Sequence, residues 1–162
     1  MSVILKQPDF IRQQKLNSCW FATLQMLLKW HRGSGDIDDP SVAGLASHWS
    51  GRSYDEVPLK WRLDHHVHLR DEPFADLQEI ERNLKKYGPI MGGGKVGKML
   101  GKRAFGHAIL IYGVLPDGHI LHHDPWDGPR KTIKGAKYLQ LQDGQMLMVD
   151  KNPRVEISGM GS

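Results

Sequence analysis

The sequence predicts an α+β fold in which an N-terminal helix packs against a C-terminal antiparallel sheet. Three observations predict it. Trp20, Leu24, Leu27 and Leu28 recur at i, i+4, i+7 and i+8, one face of a helix running from Cys19 to about His31. After Pro89 the texture changes to short β-type runs: Ile90-Met91, Ala108 to Val114, Ile120 to His123, and Met146 to Val149. Between the second and third of these lies Pro116-Asp117-Gly118, a hairpin turn signal that makes them antiparallel neighbours. Helical segments first and strands second is an α+β order.

The elements follow in chain order. Residues 1–12 carry Pro8 and read as an extended lead-in that packs across the domain. The helix at Cys19 is widened by Phe21, Met26 and Trp30 and is therefore mostly buried. Asn17 or Ser18 caps its start, and Lys29, His31 and Arg32 before Gly33 suit its negative end. Gly33 to Pro40 is a loop, and Asp39-Pro40 opens a short helix through Leu45 to Trp49, ended by Gly51. Trp61 and Leu63 suit a further helical turn and Val67-His68-Leu69 a short strand. Asp76 with Glu79 forms a capping-box pattern, and Leu77, Ile80, Leu84 and Tyr87 make a helical stripe closed by Gly88-Pro89. The tail from Asn152 to Ser162 is rich in Gly and Ser and is expected to be mobile.

At 162 residues the chain is read as one domain, 1–162. Hydrophobic residues make up 40% and charged ones 25%, the balance of an ordinary globular protein. One cysteine excludes an internal disulfide, so the fold is expected to tolerate a reducing compartment. The N-terminal residues lack the charged start and apolar run of a signal peptide, and no apolar run reaches membrane-spanning length. Neither secretory leader nor membrane association is expected. The net charge of +4 comes from scattered bases, which argues for a solvated surface and against nucleic acid.

The lone thiol sits where chemistry is expected. A cysteine at a helix start meets unpaired backbone N–H groups whose partial positive charge favours thiolate. Gln13, six positions earlier, can join the Cys19 N–H in donating to the oxyanion formed when a thiolate attacks a carbonyl. Such a nucleophile needs a base and a group that orients it. Of nine histidines, His107 follows Gly106 and opens the stiff run Ala108 to Gly113. In a hairpin turning at Asp117-Gly118, Asp124 falls at the strand end beside His107. Asp124-Pro125 reads equally as a plain turn starter, and a lone cysteine as a small buried hydrophobe.

Ser18-Cys19-Trp20 with the upstream Gln13 resembles the papain signature. Cys19-Trp20, Tyr87-Gly88-Pro89, Gly106-His107 and Asp124-Pro125-Trp126 occur in the order found in the short bacterial avirulence-effector peptidases of plant pathogens. Gln-x5-Cys, Gly-His and Asp-Pro are shared with bacteriocin-leader peptidases of export transporters. The resemblance spans roughly residues 10 to 130 and implies a two-lobed papain-like fold with a Cys19, His107, Asp124 triad. Gln13 would serve the oxyanion hole, and Trp126 would shield the His–Asp bond, with Trp20 on the cleft wall. It also implies a cysteine endopeptidase that needs no cofactor and cleaves a protein substrate, as an effector or interbacterial toxin secreted by a specialised system into a target-cell cytosol. A toxin of that kind needs an immunity protein covering its cleft. Alternatives are another acyl transfer on the same triad (a peptidoglycan amidase or transglutaminase-like exchange), leader processing, and an inactive scaffold used for binding. Leu16 and Asn17 stand where the papain signature has Cys and Gly, so that family's disulfide is absent.

Three further patterns are read as non-catalytic. Gly92-Gly93-Gly94-Lys95-Val96-Gly97-Lys98-Met99 is spaced like a phosphate loop, but Met99 replaces the magnesium-binding hydroxyl, so a flexible loop beside the cleft that acts as a lid, or close backbone approach to an extended substrate, is expected. His65-His66-x-His68 and His119 with His122-His123 lack a metal-binding frame and are expected on the surface. The five tryptophans are expected in the core and cleft wall.

Overall fold

The computed structural model describes residues 2–13, 19–32, 58–96 and 107–150. The loop after Gly33, the helix expected from Asp39 to Trp49, the caps Asn17 and Ser18, Gly97 to Met99, Gly106 and the tail from Asn152 lie outside the described residues. The elements are β1 (Val3–Ile4), α1 (Cys19–Arg32), α2 (Leu59–Asp64), β2 (Val67–Arg70), α3 (Leu77–Tyr87), β3 (Ile90–Gly94), β4 (His107–Val114), β5 (His119–Asp124), β6 (Gly128–Lys134), α4 (Gly135–Leu141) and β7 (Met146–Val149).

One antiparallel sheet runs β2-β7-β3-β4-β5-β6. Strand β1 also pairs with β4, Val3 opposite Val114, on the edge that β3 occupies further along from Ile111 to His107. Side chains alternate across a strand, and here the alternation sorts two cores. Met91, Leu110 and Leu147 share a row of the ladder and face α1, meeting Trp20, Leu24, Leu27 and Leu28. Ile90, Ile109, Ile111, Met146 and Met148 face the other way, against Ile80 and Leu84 of α3 and Tyr138 of α4. The sheet is therefore a middle layer covered on both sides, which is why all eight residues of β4 are buried. Truncating one residue of the Met91, Leu110, Leu147 row to Ala would cost about 2–5 kcal/mol.

Local chemistry accounts for the element ends. The Asp76 side chain accepts from Glu79 N–H at 2.8 Å, while Glu79 Oε1 accepts from Ala75 N–H at 2.9 Å, a capping box displaced by one residue. Gly118, at φ 86, closes the β4–β5 hairpin, and Gly118 N–H donates to Leu115 O at 2.9 Å. The lead-in is stitched across the domain. Leu5 N–H donates to Tyr112 O at 3.0 Å, and Trp30 Nε1–H donates to Lys6 O at 2.8 Å.

The sheet expected in the C-terminal half is joined by the strand expected at Val67 and by a short strand of the lead-in, and α4 interrupts its C-terminal strands. Two expectations need correction. Gly92 to Gly94 are not loop or lid. They form the buried end of β3, with Gly94 opposite His107. A Cβ on Gly92 would stand 2.7 Å from Tyr138 Oη and one on Gly94 2.0 Å from Leu141 O, so neighbouring groups fill the space that side chains would need. The histidines His122 and His123 are not on the surface: they are 4% and 0% exposed.

Candidate active site

The site forms where the start of α1 meets the start of β4 and the end of β5. Cys19 is the first residue of α1, and its Sγ accepts from the Ala108 N–H at 3.5 Å. Thr23, one turn further and fully buried, donates its hydroxyl to Cys19 O at 2.7 Å. The helix therefore begins directly against the first residues of β4.

His107 opens β4 and is 4% exposed. Its Nε2 lies 2.6 Å from Asp124 Oδ1, a charge-assisted distance. The same oxygen accepts from the Trp126 N–H at 2.9 Å and the Asp127 N–H at 3.1 Å. Both readings of Asp124 are thus realised: it starts the turn and holds the imidazole. With Nε2 on Asp124, Nδ1 is the nitrogen left to Cys19.

The electrostatics follow from this packing. Burial alone would lower the His107 pKa, but the hydrogen bond and charge of Asp124, with the nearby Cys19 sulfur, raise it to about 9. Burial opposes ionisation of Asp124, yet the hydrogen bond and charge of His107 and the amides of Asp127 and Trp126 hold it below its ordinary value. At neutral pH the pair is an imidazolium and a carboxylate beside the sulfur.

Gln13 is buried, and its N–H donates to Pro125 O at 2.9 Å, which ties the lead-in to the Asp124 turn. Arg12 donates to Trp126 O on the same turn. Trp126 is half-buried, while Trp20 is 6% exposed and packs in the core beneath α1. Among the described residues no group of three His, Cys, Asp or Glu is arranged to hold a metal ion. No helix among them is long and apolar enough to cross a membrane.

Residues 5–143 match the family model described as papain-like cysteine protease AvrRpt2. The chain belongs to this family of cysteine proteases. No curated protein matches it. Solved structures do, among them a double glycine motif protease from an AMS/PCAT transporter in complex with the leader peptide. That match has a TM-score of 0.59 and 17% identity, covering 92% of this chain and 95% of that one. Another is the peptidase domain of Streptococcus ComA, a bifunctional ABC transporter involved in a quorum-sensing pathway. Here the TM-score is 0.56 at 17% identity, covering 87% of this chain and 97% of that one. At that identity the likeness is one of fold: mixed helix and antiparallel sheet, as in papain-like peptidase domains.

Sequence reasoning missed two groups that this protease brings to the site. The Ala108 amide on the sulfur has no sequence signal, because any residue after His107 would supply it. His123, expected on the surface, falls by alternation on the partly exposed face of His119 and Leu121, and it is buried where the β5–β6 register shifts and the lead-in crosses it.

Proposed function

We propose that the enzyme hydrolyses peptide bonds in a protein substrate through Cys19, His107 and Asp124, with Gln13 as an oxyanion donor. The observation that carries this reading is the 2.6 Å bond from His107 Nε2 to Asp124, which leaves the buried Nδ1 without a hydrogen-bond partner and available to the nearby Cys19. The Cys19 thiolate, paired with the His107 imidazolium, attacks the carbonyl carbon, and the developing oxyanion takes hydrogen bonds from the Gln13 side chain and the Cys19 N–H. His107 then gives its proton to the departing amine, leaving a thioester and a neutral imidazole. Neutral His107 next takes a proton from water, hydroxide attacks the thioester, and the acid product leaves with the thiolate restored. Asp124 holds one tautomer and stabilises the imidazolium, and Trp126 covers that bond.

In this reading the protease is an effector or interbacterial toxin, delivered by a specialised system and acting in a target-cell cytosol. The family match and the independence of the fold from disulfides support it. An immunity protein occupying the cleft between α1 and β4 would protect a bacterial producer. Inducing the chain in bacterial and eukaryotic cytosols tests this, with Cys19→Ala as control and new N-termini mapped by mass spectrometry. Growth arrest that requires Cys19 supports the reading, and harmless expression of active enzyme in both hosts refutes it. A second reading, leader processing, draws on the solved peptidase domains of transporters. Efficient cleavage after a double glycine in a leader peptide, with no toxicity, would favour it.

A further inference from the structure

His123 is fully buried next to Asp124 in β5 but belongs to different surroundings. Asp124 faces His107, whereas the His123 ring lies edge-on to Phe10 at 5.6 Å and tilted against Tyr112 at 4.7 Å. Both of its nitrogens are engaged. The Arg130 N–H donates to Nδ1 at 3.1 Å, so Nδ1 carries no hydrogen. Nε2 therefore carries it and donates to Pro8 O at 2.7 Å. A single neutral tautomer satisfies both bonds.

The two partners belong to different parts of the chain. Arg130 sits at φ 54 in β6, where the register with β5 shifts between His122 and Asp124. Pro8 is in the lead-in, between Lys6, held by Trp30, and Gln13, held by Pro125. The other ties over this stretch, Lys29 to Asp9 and Arg12 to Trp126 O, involve exposed partners. His123 is thus a fully buried side-chain pin on the path toward Gln13.

We infer that His123 is a positioning residue for oxyanion stabilisation: in its neutral Nε2–H form it bridges Pro8 and Arg130, sets where the lead-in presents Gln13, and releases that path when protonated. The inference rests on the role of Gln13 proposed above. Protonation would put a hydrogen on Nδ1 facing the Arg130 N–H, donor against donor. The charged and titratable groups around the ring are Arg130, Asp9, Tyr112 and the neighbouring His122. Burial lowers the His123 pKa, aided by the charge of Arg130 and opposed by the Pro8 carbonyl and Asp9, so the ring is neutral at neutral pH.

The test compares wild type, His123→Phe, His123→Gln, Gln13→Ala and the double variant His123→Phe/Gln13→Ala on one peptide substrate. Cys19 alkylation by iodoacetamide is measured alongside, since that displacement forms no oxyanion. His123→Phe keeps an aromatic ring against Phe10 and Tyr112 but loses both hydrogen bonds. It should lower kcat by roughly 10- to 100-fold, the range for a displaced catalytic group, with KM and the alkylation rate little changed. In the Gln13→Ala background it should cost nothing further. His123→Gln, which keeps an amide donor and acceptor, should recover most of kcat and lose the acid-side decline expected of wild type. The 15N shifts of His123 should report unprotonated Nδ1 at neutral pH. The inference is overturned by unchanged kcat in folded His123→Phe while Gln13→Ala is impaired, by an equal loss in alkylation, or by full additivity in the double variant. If Gln13→Ala is itself silent, the oxyanion assignment falls and the inference with it. Should His123→Phe not fold, a protonated Nδ1 or an unchanged acid limb in His123→Gln overturns it.

Discussion

Two buried histidines on neighbouring strands are pushed in opposite directions, and stability should record both. His107 is raised from 6.5 to about 9. His122, where burial dominates over its bond to Ile120 O, is lowered from 6.5 to about 4. Between pH 6.5 and 9 the folded state holds a proton on His107 that the unfolded chain has lost, so stability falls as pH rises, by roughly 3 kcal/mol over the window. Between pH 6.5 and 4 the unfolded chain protonates the residue at 122 while the fold refuses it, so stability falls as pH drops, again by roughly 3 kcal/mol. His123, also lowered, adds to the acid side. The expected curve is a dome centred near pH 6.5. Urea denaturation followed by tryptophan fluorescence at intervals across this range would trace it. Alkylating Cys19 should flatten the alkaline side, because the nearby sulfur contributes to the His107 shift, and His122→Phe should flatten the acid side. A level curve, or a maximum at the alkaline end, would refute the assignment of these charge states.

Four other outcomes are expected. Cys19→Ala and His107→Ala should each abolish turnover, because nucleophile and base act as a unit, with activity-based labelling lost in the former. Asp124→Asn should retain partial activity, since an amide oxygen still accepts from His107, Trp126 and Asp127, but the alkaline limb of kcat/KM should move down from about 9; Asp124→Ala should lose more, and full activity there would shift the role to Asp127. Gln13→Ala should lower kcat by about 10²–10³ with the melting temperature nearly unchanged. Gly94→Ala places a methyl group against Leu141 O at a φ of 138, and should destabilise the fold by about 3 kcal/mol or more in chemical denaturation.

What could be read from the sequence were the strong local signals. The apolar stripes of α1 and α3, the Asp76 cap and the Pro116-Asp117-Gly118 turn each correspond to an element whose local preference and tertiary role agree. Strand β6 escaped notice because it is an edge: Arg130, Thr132 and Lys134 are exposed and only Ile133 marks an apolar position. Helix α4 has seven residues and no side-chain cap, and β1 only two residues. The glycines of β3 misled because a strand without side chains has no hydrophobic pattern; what it packs against, Tyr138 and Leu141, comes some fifty residues later. Cys19, His107 and Asp124 can be singled out because each stands at an element boundary with its own sequence signal, and the structure sets His107 against Asp124 and the Ala108 amide against Cys19. His123 cannot be singled out in this way, because its partners are backbone groups of Pro8 and Arg130, which leave no mark on residue type.

The stitching of the lead-in onto β4 and β5 also sets when the enzyme can first exist during synthesis. Pro8 and His123 are 115 positions apart, and Ala108 lies 89 positions beyond Cys19. At about 5–20 residues per second, the ribosome needs roughly 5–20 s to pass from the thiol to Asp124. Through most of that interval the nascent chain carries the cysteine without His107, and until β5 is made the lead-in has no His123 to hold it; contacts this distant in sequence are slow to form even once the chain is free. A chain broken off before β4 would carry the thiol without His107, and one broken off before the end of β5 would lack the carboxylate that His107 meets. The contacts that gather Cys19, His107 and Asp124 are thus completed only when the end of β5 has been made.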